Sequence, residues 1–101
     1  MAKHFSADLR PVGPGQYVLR LEGELDGSSA AEALILLETL RDATVTLDFT
    51  RVDRVELFGA RVLGGGLRDL WPAGLTFEVD GLSTEIGHQL CLGEVLSAVA
   101  G

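Results

Sequence analysis

Apolar positions along the chain follow two periods, and the switches between them predict its elements. Phe5, Ala7 and Leu9 alternate with Ser6 and Asp8, the period-two pattern of a strand with one buried face. Pro11 to Gly15 is rich in residues that cannot continue a ladder and that favour a turn, so Tyr17 to Glu22 is expected to return antiparallel, with Tyr17, Leu19 and Leu21 inward. Gly23-Glu24-Leu25-Asp26-Gly27 closes that strand. Ser29, with Glu32 three residues later, has the spacing of a capping box, and a helix is expected from Ala30 to Arg41. Its apolar stripe is Ala30, Ala33, Leu34, Leu37 and Leu40.

The period returns to two at Val45, Leu47 and Phe49. A strand there, reached through a helix, pairs parallel with its predecessor by a right-handed crossover. Thr50 to Glu56 reads as a charged crossing, Leu57-Phe58-Gly59 as a turn, and Phe58 to Trp71 as a second helix with Val62, Leu63, Leu67, Leu70 and Trp71 on one stripe, ended by Pro72 and Gly74. Leu75, Phe77 and Val79 form a fourth strand. Ser83 caps a third helix bearing Ile86, Leu90 and Leu92, and Gly93 breaks it before a last turn through Val95, Leu96 and Val99. Because every strand alternates, only one sheet face is covered. The expected fold is therefore a two-layer α/β architecture: a four-stranded mixed sheet, three to four helices packed mainly on one face, and a polar face opposite.

Composition narrows the function. The chain has 101 residues, 47% of them hydrophobic, which suits one domain over 1–101. A net charge of -7, from 15 acidic and 8 basic residues, disfavours nucleic acid as a partner. Cys91 is the only cysteine, which excludes an internal disulfide and fits a reducing compartment. The start, MAKHFSADLR, lacks the apolar core of a signal peptide, and the longest apolar run, Ala30 to Leu37, is interrupted by Glu32. A cytoplasmic protein without direct membrane insertion is expected.

Candidate chemistry is sparse. Gly59 and Gly64 to Gly66 are not followed by Lys-Ser or Lys-Thr, so they make no phosphate loop, and the triplet is expected to let its helix approach the sheet or a partner closely. His88, Cys91 and Glu94 share a helical spacing, but Gly93 weakens that helix, and neither a metal nor a cofactor is expected. Ser28, Ser29, Ser83 and Thr84 all fall where capping explains them, no nucleophile is paired with a base, and the chain is not expected to be an enzyme. Arg51, Arg54, Arg61 and Arg68 hold half of the basic residues; they read either as a solvated face balanced by Asp53, Glu56 and Asp69 or as a docking face for an acidic partner. Function is sought where the third strand hands over to the second helix, because helix amino termini expose unpaired N–H groups there.

Gly23-Glu24-Leu25-Asp26, the strand ending Val45-Thr46-Leu47-Asp48-Phe49-Thr50, Val52-Asp53-Arg54-Val55 leading to Gly59, and the pattern Leu82, Leu90, Leu92, Gly93 together resemble a STAS domain, the fold of bacterial anti-sigma factor antagonists. The resemblance covers nearly the whole chain. It implies a regulatory protein-interaction module whose partner-binding residues would be Asp26, Glu56, Leu57, Phe58, Gly59, Arg61, Gly65 and Arg68. In that family the segment before the second helix resembles Asp-Ser-Ser-Gly and is phosphorylated by a kinase that is also the anti-sigma factor. Here it reads Glu56-Leu57-Phe58-Gly59, so Phe58 stands at the usual acceptor position and neither Leu57 nor Phe58 has a hydroxyl. Leu57 and Phe58 are then either an apolar anchor or core. The partner implied is an anti-sigma factor with a kinase-like ATPase. The alternatives are an accessory subunit that binds the ATPase of an ABC-type lipid transporter, or a small-ligand or lipid sensor with an apolar pocket near Phe58. A homodimer is left open.

Overall fold

Four alternating segments build one sheet in the order β1 (Ser6–Gly13), β2 (Gln16–Leu25), β3 (Thr44–Val55) and β4 (Thr76–Asp80). The structure, a computed structural model, describes residues 5–91 and 95–100, with side-chain burial for 5–88 and 95–99. β1 pairs antiparallel with β2, while β2 with β3 and β3 with β4 are parallel. The crossovers are α1 (Gly27–Leu37) and α2 (Leu57–Asp69), the latter followed by a 3-10 turn at Trp71–Ala73; α3 (Thr84–Cys91) and α4 (Val95–Ala100) complete the described helices. The mixed sheet and the single helical layer agree with the sequence expectation. Leu92, Gly93 and Glu94, and the side chains of Leu90 and Cys91, lie outside the described residues.

The inward residues Leu19, Leu21, Leu25, Val45, Leu47 and Phe49 are buried beneath Ala30, Ala33 and Leu37 of α1, Ala60, Leu63 and Leu67 of α2, Ile86 of α3, and Val95 and Ala98 of α4. The opposite face is polar. Asp8, Arg20 and Asp48 are register neighbours across three strands there, with Arg20 Nε 3.9 Å from Asp48 Oδ2. None of the helices is long and apolar enough to cross a membrane among the described residues.

Several expected boundaries are corrected. β1 runs through Pro11 and Val12 to Gly13, with an irregularity between Pro11 and Gly13; an edge strand tolerates a proline that a central one would not. The stretch expected as a charged crossing is strand. Where β2 advances by two positions, from Arg20 to Glu22, β3 advances by three, from Asp48 to Arg51, and it gains another extra residue between Val52 and Arg54. These bulges break the alternation, so Thr50 and Arg51 are both exposed before Val52 is buried, and Asp53 and Arg54 before Val55.

α1 begins at Gly27 under an Asp26 cap, not at Ala30 after Ser29, and it ends at Leu37 instead of Arg41. The Arg41 guanidinium donates to the carbonyls of Glu38 (2.9 Å) and Leu40 (2.7 Å), satisfying groups that a continued helix would have used. Ser83 does cap α3, its Oγ accepting from the Ile86 N–H at 3.1 Å. Gly64 to Gly66 do not act as a unit. Gly64 is buried, Gly66 abuts the Leu34 side chain of α1, and a Cβ on Gly65 would meet nothing within 4 Å.

Candidate functional site

Parallel pairing of β2 with β3 brings Leu25 opposite Val55, so α1 and α2 start side by side. The Glu56 N–H donates to the Leu25 carbonyl at 2.9 Å and ties the second start to the first. Gly59 then passes against the β2 to α1 connection: a Cβ there would lie 2.6 Å from Leu25 O and 2.7 Å from Asp26 Cα, and only glycine fits. Phe58, the residue before it, is turned outward onto Gly27, where an added Cβ would fall 2.6 Å from the ring. Leu57 is 46% exposed and Phe58 68%. Neither side chain is core, so the core reading is overturned.

The start of α2 is chemically open. Glu56 is its N-cap by position, yet its side chain makes no capping bond, and the first turn holds no acidic residue. Ala60 N–H bonds back to Glu56 O at 2.9 Å, while the amides of Leu57, Phe58 and Gly59 have no intrahelical acceptor. The start of α1 is closed. Asp26 Oδ1 accepts from the Ser29 amide and lies within reach of the Ser29 hydroxyl, both at 2.8 Å, and that hydroxyl also sits 3.0 Å from Glu24 O. Ser29 is buried. Hydrogen bonds from the Ser29 amide, then from its hydroxyl, hold the Asp26 carboxyl below the usual carboxylate range.

Asp26, Glu56, Leu57, Phe58 and Gly59 therefore converge at one end of the sheet. Arg61 is exposed and lies one turn beyond Leu57 and Phe58 on the same helix face, by its spacing of four and three. The same spacing carries the stripe on to Gly65 and Arg68. Arg68 is half-buried and donates to Ser97 Oγ of α4, so this end of the stripe is joined to the helical layer. Arg51 and Arg54 lie exposed on β3. Among the described residues no three His, Cys, Asp or Glu side chains come together.

Sequence reasoning missed Gly27 as the seat of the Phe58 ring, and Ser29 as a buried partner of Asp26. The Asp-x-x-Ser spacing of 26 to 29 carried the second signal, in competition with Ser-x-x-Glu three residues later. The first had no signal, because the seat exists only once two parallel strands end together. Sequence reasoning also missed a cavity beside β4, lined by Trp71, Leu75, Phe77, Ala98 and Val99.

No protein-family model matches the chain, and no curated protein matches it by sequence. Solved structures do. The unphosphorylated form of the anti-sigma factor antagonist SpoIIAA is similar at a TM-score of 0.68 and 21% identity, over 93% of this chain and 82% of that one. An anti-sigma factor antagonist STAS domain from Rhodobacter sphaeroides is similar at a TM-score of 0.54 and 18% identity, over 77% of this chain and 85% of that one. A protein called Mglu matches at a TM-score of 0.67 and 30% identity over 76% of this chain, but the chain spans only 20% of Mglu. These likenesses define the fold alone: the chain has the architecture seen in SpoIIAA and in the Rhodobacter sphaeroides STAS domain.

Proposed function

We propose that residues 1–101 form a single, non-catalytic regulatory module that binds a protein partner through the start of α2, as an anti-sigma factor antagonist would, without the usual phosphoserine switch. The exposure of Phe58 carries this reading. A large aromatic and an adjacent leucine stand out of the core on one helix turn beside an arginine, and burying such side chains yields about 1.5–3 kcal/mol each. Aromatic residues and arginine are the types that dominate interface energetics. Gly59 holds the turn against β2, so the anchors are presented in a fixed position and little ordering cost is left for binding. The partner that fits best is a kinase-like ATPase of the anti-sigma factor class, met in a bacterial cytoplasm and acting on transcription. A transporter ATPase would use the same face.

Affinity purification from the native cell, followed by identification of the captured protein, tests the reading. Capture is expected to be lost with Phe58→Asp and with Arg61→Glu; a partner retained by both variants contradicts this surface. The captured protein also separates the anti-sigma reading from the transporter one. Incubation with a broad kinase extract is expected to leave residues 56–59 unphosphorylated. Stoichiometric incorporation abolished by Ser28→Ala or Thr50→Ala would show a switch that has moved instead of vanished.

A further inference from the structure

Strand order β1-β2-β3-β4 leaves one side of β4 without a neighbouring strand among the described residues, and α4 and the Trp71 turn pack beside β4. The ledge between them is a cavity of about 310 Å³ lined by Trp71, Leu75, Phe77, Ala98 and Val99, with Gly74 and Thr76 at its margin. A cavity of about 150 Å³ holds benzene, so this one has room for a branched or aromatic side chain.

Among the described residues no strand pairs with the outer side of β4. Thr76 N–H donates to Ala43 O at 3.0 Å, so Thr76 faces β3. Backbone groups of successive residues in a strand point to opposite sides, which turns the N–H and C=O of Phe77 and Val79 to the free edge. The outer-face side chains there are acidic: Glu78 and Asp80 are exposed, and Asp80 is the register neighbour of Asp48. We propose that the β4 edge accepts an extended peptide segment of a partner as a fifth strand, with one apolar side chain in the Trp71 cavity and lysines or arginines at the alternate, outward positions.

Each observation selects against another occupant. A small apolar molecule would leave the Phe77 and Val79 backbone groups unused, and the Trp71 indole N–H is already spent on Ala98 O at 3.2 Å. A second copy pairing through its own β4 would set Glu78 and Asp80 against the same carboxylates, a like-charge arrangement across strands. A basic alternating strand satisfies the backbone, the cavity and the charge at once. This surface is separate from the start of α2, and its test is independent of the reading given above.

The probe is the acetylated, amidated peptide Lys-Val-Lys-Leu-Lys-Val-Lys, titrated into the full chain at physiological salt with amide hydrogen exchange and Trp71 fluorescence as readouts. Expected are slowed exchange at the Phe77 and Val79 amides, a change at Trp71, and binding weaker by about tenfold or more for Glu78→Lys with Asp80→Lys. Both substitutions lie on exposed positions, and the doubly substituted chain should instead prefer Glu-Val-Glu-Leu-Glu-Val-Glu. Equal binding of a peptide with the same composition but no alternation, or exchange unchanged at Phe77 and Val79, overturns the proposal. So does a Trp71 response to indole with none to the peptide, which would make the cavity a small-molecule site. Self-association of the free chain that protects β4 would give the edge to a second copy and equally overturn it.

Discussion

Two helices begin side by side at the ends of parallel strands, and they are finished in opposite ways. At α1 the polar groups are consumed internally: Asp26 caps the Ser29 amide, and the buried Ser29 hydroxyl is shared between Asp26 and Glu24. At α2 no side chain caps the helix, the fixing contacts come from backbone and from the absence of a Cβ at Gly59, and apolar side chains point to solvent. The same topological position thus serves structure in one case and display in the other. What separates them is whether the first-turn donors and apolar surface find partners within the chain.

The sharpest way to break this contrast is to give Gly59 a side chain. Gly59→Val should cost about 3 kcal/mol in urea unfolding, because the new Cβ meets backbone of Leu25 and Asp26, which cannot move aside. Next in size, Asp26→Ala should lower the melting temperature by several degrees through loss of the α1 cap. On the outer face of α2 the sign reverses: Gly65→Ala should stabilise by about 0.5–1 kcal/mol, since nothing lies within 4 Å and alanine favours the helix. Smallest of all, Phe58→Asp should leave stability within about 0.5 kcal/mol, as an exposed acid in a first turn suits the helix dipole.

Acid sharpens the comparison from the α1 side. The folded Asp26 carboxyl titrates below its usual 3.8, so its contribution to stability is complete above that value and is lost as pH falls through the depressed folded one. Asp48 adds the same sign, lowered first by the Thr50 hydroxyl and then by the Thr50 amide. Urea stability followed from neutral pH to below 3.8 should therefore fall less steeply in Asp26→Asn than in the parent chain, and Thr50→Val should flatten the Asp48 part.

The pattern of residues made the architecture readable, since Leu19, Leu21, Val45, Leu47 and Phe49 needed only alternation to be placed inward. Alternation failed where the chain carries an extra residue: at Thr50-Arg51 and Asp53-Arg54 two exposed positions in succession look like a loop, although the pairing with β2 continues. Pro11 misled for a related reason, as its fitness for a strand depends on whether that strand lies at an edge. The loss of the hydroxyl at Phe58 was legible, but its exposure was not, because an aromatic at a helix start is buried or displayed according to what the neighbouring strand end leaves free. Gly27 and the β4 ledge were invisible on the same ground: both are gaps between elements that lie apart in the chain.

Affinity of the captured partner for the Phe58→Asp chain, measured by calorimetry beside its melting temperature, tests the display of α2 most directly. The account predicts binding weakened by 2 kcal/mol or more, roughly thirtyfold, with melting unchanged. Undiminished affinity in a chain that melts as the parent does would contradict it.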